Sequence, residues 1–173
     1  MQRCDGGEFL LEEENLFKNL KKLAATVGYV PQGTPRLEEL SAKDNLLLWY
    51  DRKTLKRELE DGVLKMLGID EFINLPVSKM SGGMKKRLSI GCSVAKGPKL
   101  LLLDEPCAAL DLVCKHDINE YLSRFKASGG ALILATHDVD ELSLCDVIYI
   151  LKDGKLQQYD YDGDTNRLVG VLQ

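Results

Sequence analysis

Apolar residues along the chain fall into two kinds of run. Short, nearly continuous stretches appear at 26–30 (TVGYV), 99–103 (KLLLL), 131–135 (ALILA) and 147–151 (VIYIL). A strand that is apolar on both faces must be buried on both, which predicts a mainly parallel sheet covered by helices. After the last of these runs Asp153-Gly154 leads into KLQQY, a two-residue hairpin signal. EFLL at 8–11 predicts a further short strand, followed by a helix from about Asn15 to Ala24.

Elsewhere the apolar positions recur with the period of a helix. Ser41 is placed to cap a helix over 42–50, and the next helix carries Leu55, Leu59, Val63, Met66 and Leu67 on one stripe until Gly68 closes it. A later helix from about Asp111 to Ala127 lines up Ile118, Tyr121, Leu122 and Phe125 before Gly129-Gly130. The arrangement predicts an α/β core from residues 1–36 and 98–173, with a helical lobe of residues 37–97 inserted into it.

Composition narrows the partners. With 45% hydrophobic and 29% charged residues in a chain of 173, a folded domain is expected. A net charge of -4 argues against nucleic acid, because no basic surplus exists to displace phosphate counterions. The trio Lys85-Lys86-Arg87 is too short to change this and reads as the solvated face of a helix, with phosphate attraction the alternative. No apolar run approaches the roughly 20 residues of a membrane helix. MQRCDGGEFLLEEE is not read as a secretory signal, so contact with a membrane is expected to run through a partner. The five cysteines (Cys4, Cys92, Cys107, Cys114 and Cys145) never fall as C-x-x-C, which suggests the reduced thiols of a cytoplasmic protein rather than a zinc site or a disulfide framework. His116 and His137 lie too far apart in sequence to suggest a histidine-rich metal site.

Candidate chemistry gathers at the strand ends. KLLLLDEP puts Asp104 and Glu105 at the carboxyl edge of a parallel sheet, where open α/β folds place their ligands. An Mg²⁺ ion held through water by Asp104, with Glu105 orienting or deprotonating an attacking water, accounts for the pair; capping of the following turn is the alternative. Ser81-Gly82-Gly83 precedes a helix bearing Met84, Leu88 and Cys92. Glycines let a backbone approach an anion, and a helix start offers N–H groups to it; a plain loop and N-cap is the simpler reading. Asp111 follows the acidic pair, and ALILATHD sets His137 at the end of a second buried strand. Two strand ends thus aim polar groups at one edge.

In that order the motifs resemble the nucleotide-binding domain of ATP-binding cassette (ABC) ATPases, across essentially the whole chain. Val30-Pro31-Gln32 is similar to the Q-loop, Ser81-Gly82-Gly83-Met84 to the signature loop and Leu100 to Glu105 to the Walker B strand; Ala109-Leu110-Asp111 is similar to the D-loop and His137 to the switch histidine. The resemblance implies a P-loop NTPase-like fold and ATP with Mg²⁺ as cofactors. It also implies Gln32 and Asp104 at the metal, Glu105 at the attacking water and His137 at the γ-phosphate. Ser81, Gly82, Gly83 and Asp111 would then line the nucleotide site, Ser81 and Gly83 on ATP held by an opposing subunit. The implied partners are a second ABC domain and a transmembrane transporter subunit met by the 37–97 lobe at the inner face of the membrane.

Two departures qualify the match. Met84 stands where the signature loop usually has Gln, a trait of exporter-like members. No G-x-x-x-x-G-K-[ST] occurs in the 173 residues, and Gly6-Gly7-Glu8-Phe9-Leu10-Leu11 is similar to the segment that follows the Walker A helix. The expectation is an amino-terminally shortened ABC domain, inactive alone. A soluble ABC ATPase unrelated to transport and an inactive remnant or regulatory half-site stay open beside the transporter ATPase.

Overall fold

A computed structural model describes residues 5–11, 13–33 and 37–172, and the chain divides into two compact units, Met1–Ala135 and Thr136–Gln173. In the first unit β1 (Leu10–Leu11) pairs antiparallel with β2 (Glu14–Asn15), so only the end of the EFLL run is strand. The single helix expected over 15–24 is instead a 3-10 turn, Leu16–Lys18, and then α1 (Leu20–Thr26). Asn19 makes the break, because its side chain accepts from the Lys22 N–H at 3.0 Å and starts a new helix.

β3 (Val27–Val30) follows directly, and α2 (Ala42–Leu46) begins at the expected Ser41. Ser41 and Asp44 form a reciprocal capping box, but α2 ends four residues short of Tyr50. Tyr50 enters the core and its hydroxyl donates to the Gly91 carbonyl at 2.8 Å, whereas Trp49 stays exposed. Burial pushes the Tyr50 phenol well above its ordinary range, and the nearby Glu58 adds to the shift. The long stripe expected from Leu55 to Leu67 is broken into α3 (Arg52–Asp61) and α4 (Val63–Met66). At the break the Glu58 carboxylate accepts from the Val63 N–H at 3.0 Å. Gly68, with φ of 61°, closes the pair as expected.

α5 (Gly82–Ser93), β4 (Leu100–Asp104), α6 (Leu112–Ala127) and β5 (Ala131–Ala135) complete the unit. Among the described residues β3, β4 and β5 form a parallel sheet in that order, with Val30 level with Leu103 and Asp104 level with Ala135. Leu101 and Val30 of the sheet are fully buried, as are Leu88 and Ile90 of α5 and Ile118 and Leu122 of α6. Burial on both faces holds for most of β4 but fails for β5, whose Ala131, Ile133 and Ala135 are exposed. Among the described residues β5 has β4 on one side only, and hydrophobicity alone says nothing of what lies beside a strand.

The second unit holds α7 (Val139–Leu142), β6 (Ile148–Lys152), β7 (Lys155–Tyr159) and α8 (Thr165–Leu172). The predicted hairpin is present, with Asp153 at φ 51° and Gly154 at φ 73° in its two-residue turn. Its first strand was expected in the parallel sheet; among the described residues β6 pairs antiparallel with β7, and Tyr149 and Leu151 are exposed. Among the described residues no helix is long and apolar enough to cross a membrane. Among the described residues Cys92, Cys107, Cys114 and Cys145 form no disulfide, and Cys4 lies outside the described residues.

Candidate functional site

The sheet register sets the site. Val30 and Leu103 are level neighbours on β3 and β4, so residues two further along each chain, Gln32 and Glu105, emerge side by side beyond the carboxyl edge. The Gln32 amide donates to a Glu105 carboxylate oxygen at 2.9 Å. Asp104, the last residue of β4, is half-buried. The Glu105 N–H still continues the sheet ladder to the Ala135 carbonyl at 2.8 Å, but its φ is 45°. A residue with a side chain in the left-handed region costs about 1–3 kcal/mol, a strain that accumulates at functional sites. Here it swings the chain out of the sheet directly after Asp104.

Lys86 corrects the reading of the basic trio as a solvated face. It is 4% exposed, and its ammonium nitrogen donates to the carbonyls of Pro31 (3.1 Å), Gln32 (3.1 Å) and Glu105 (3.3 Å). Arg87 is also largely covered, with its guanidinium donating to the Leu67 carbonyl at 3.2 Å and lying 5.3 Å from the Phe72 ring centre. Sequence reasoning missed Lys86 because a charge buried against carbonyls looks like any other lysine. A signal did exist in the small polar Ser89 and Ser93, which follow it on the same helical face. The Ser93 hydroxyl lies 2.8 Å from the Tyr29 carbonyl, so this face runs along β3 towards Gln32.

The starts of α5 and α6 meet elsewhere in the unit. Ser81 caps α5, its hydroxyl accepting from the Met84 N–H at 3.2 Å, with Gly82 exposed and Gly83 buried. A Cβ on Gly83 would stand 2.3 Å from the Cys114 sulfur, so glycine is required there for packing. Asp111 caps α6 and accepts from the Cys114 N–H at 2.9 Å. Ser81, Gly82, Gly83 and Asp111 are therefore neighbours through Leu110 and Cys114, whereas Gln32, Asp104 and Glu105 gather at the sheet edge. His137 belongs to the second unit, where it is exposed and followed by Asp138, which caps α7.

The two aspartate caps give a pH dependence. The Cys114 N–H lowers the Asp111 carboxyl below the usual range, and the Thr54 hydroxyl and N–H lower that of Asp51. Depressed folded values mean that the stabilisation is present above the ordinary aspartate range near pH 3.9 and is lost as pH falls through the folded values. Thermal melting followed from pH 7 to 3 should therefore hold level and then fall below about pH 4. Asp51→Asn with Asp111→Asn, which keeps a capping oxygen but cannot titrate, should flatten part of that fall.

Comparison with known proteins agrees with this architecture. Residues 1–108 match the family model described as ABC transporter. Over 166 residues the chain is 33% identical to the molybdenum import ATP-binding protein ModC of Rhizobium etli, covering 91% of this chain and 47% of that protein. It is 35% identical over 134 residues to the Nod factor export ATP-binding protein I of Sinorhizobium fredii, covering 75% of this chain and 39% of the relative. The chain thus spans about half the length or less of these curated relatives. A dimeric ATP-binding cassette solved in a post-hydrolysis state with ADP and Pi superposes with a TM-score of 0.78 at 25% identity, covering 92% of this chain and 75% of that one. Its P-loop NTPase fold, a mainly parallel sheet flanked by helices, is the fold described above. From the family match over more than half of the residues, supported by these relatives, the chain belongs to the ABC transporter family.

Proposed function

We propose that this chain is the ATP-hydrolysing part of a transporter and energises the movement of a solute across a membrane. The observation that carries the reading is the Gln32 amide set on the Glu105 carboxylate at the carboxyl edge of a parallel sheet, with Asp104 one residue behind. Glu105 orients the attacking water and takes its proton. His137 steadies the γ-phosphate; Ser81, Gly82, Gly83 and Asp111 serve ATP held by an opposing ABC domain. Asp104, through water, and Gln32, through its amide, would hold Mg²⁺, which when bound offsets the charge of the phosphates. One amide oxygen and one carboxylate reached through water suit that ion, which usually keeps several waters and is bound by few protein groups together with phosphates. Among the described residues no group of three or more His, Cys, Asp or Glu offers a cage made of protein alone.

Residues 37–97 form the lobe that receives the membrane partner, with Leu48 and Trp49 exposed on it, and the chain works at the cytoplasmic face through that partner. Met84 in the signature loop favours an exporter-type partner. The 173 residues hold no G-x-x-x-x-G-K-[ST], and a second reading is a half-site without turnover of its own. Phosphoryl transfer depends on positioning and charge neutralisation, which that loop supplies. Phosphate release from MgATP separates the two. The chain alone is expected to release none, and the chain joined to a segment bearing the loop is expected to turn over. A joined form that folds and binds MgATP with its membrane partner but stays inactive favours the half-site.

A further inference from the structure

We propose that Lys86 is a positioning residue that sets the Gln32 amide on the Glu105 carboxylate and ties the helix following the signature loop to both. An ammonium group has three N–H donors. At Lys86 three carbonyls converge on it, from Pro31 and Gln32 at the end of β3 and from Glu105 at the turn after β4. Two of those carbonyls belong to the residues whose side chains meet at 2.9 Å. One cation therefore fixes the backbone separation of the pair from behind, while the side-chain hydrogen bond closes it in front.

Burial makes the contact demanding. A cation that is 4% exposed has lost most of its water, and its attraction to carbonyl dipoles is correspondingly stronger than at the surface. Pro31 has no N–H, and Gln32 and Gly33 are exposed, so Gln32 and Gly33 have little burial of their own to hold them in place. The Ser93 hydroxyl pins the same helix to Tyr29 but does so before the strand ends. Lys86, on that same face, reaches beyond the strand end to both members of the pair. Its consequence for catalysis rests on the ATPase reading; its structural effect does not.

The experiment uses the labelled 173-residue chain without nucleotide, so a failure of the ATPase reading leaves its outcome unchanged. In the unmutated chain, NMR should show the Lys86 ammonium protons protected from exchange and correlated with the carbonyls of Pro31, Gln32 and Glu105. Absence of that protected ammonium overturns the proposal even if no variant folds. In Lys86→Met, exchange of the Gln32 side-chain amide protons should quicken roughly tenfold, as expected for loss of a charge-assisted anchor. Ser93→Ala, which loosens the packing of the same helix, and Lys85→Met, which removes the neighbouring charge near Glu38, should leave those protons unchanged. An unaltered Gln32 amide in folded Lys86→Met overturns the proposal, and so does an equal change in Ser93→Ala.

Discussion

Glu105→Gln, made in this chain joined to a phosphate-loop segment, should cut phosphate release by about 10²–10⁴-fold, the usual worth of a general base. MgATP should still bind. Glutamine has nearly the same shape as glutamate and can still meet the Gln32 amide, and the Lys86 contact is to the Glu105 backbone, so the site keeps its geometry. What disappears, on the proposed role, is the basicity that would accept a proton from water. Phosphate release and calorimetry on the same preparations give the comparison. Parental turnover in Glu105→Gln would remove Glu105 from the chemistry and move the base to another residue.

The second large effect is on stability. Gly83→Ala places a methyl 2.3 Å from the Cys114 sulfur and 3.1 Å from its Cβ, closer than atoms can stand. The starts of α5 and α6 must therefore separate, at a cost of about 1–3 kcal/mol for an overpacked contact. In a chain of this size that lowers the melting temperature by roughly 2–4 °C for each kcal/mol. Cys114→Ala in the same chain removes the nearer atom and should restore part of the loss, while the remaining Cβ keeps the recovery incomplete. Such non-additivity is the signature of two residues in contact. Equal melting in Gly83→Ala and the parent would show that the helices part freely.

Much of this arrangement was legible in the sequence because local chemistry enforces it. β4 is a run of leucines because both its faces are covered, and Asp153-Gly154 can hardly form anything but a tight hairpin turn. Ser41 caps the helix it is expected to cap, and the helix expected from about Asp111 does begin there, at Leu112. The misses share a cause in long-range placement. ALILA and VIYIL are as apolar as β4, yet one is half-exposed and the other pairs in a separate hairpin, since composition does not say which neighbour covers a strand. Helix breaks at Asn19 and Gly62 turn on single side-chain contacts, or on a missing side chain, that interrupt a periodic stripe. At the site, the motif residues were visible one at a time, but the clamp that joins them was not. Lys86 stands more than fifty residues from Pro31 and Gln32 and nineteen from Glu105, and only the fold brings the three carbonyls together.

The left-handed backbone at Glu105 bears on how such a chain persists through mutation. At φ 45° glycine is the residue with least strain, so backbone strain taken by itself favours replacing Glu105. Drift unopposed by a chemical requirement should move this position towards glycine early, because that change relieves strain and removes a carboxylate from the sheet edge. On the proposed role, a glutamate kept there would give up stability for reactivity, and its retention among natural variants would mark selection on what the site does. Sequencing natural variants of this chain would read that pressure directly: position 105 should resist change more strongly than the unstrained, exposed Ala108 three residues along.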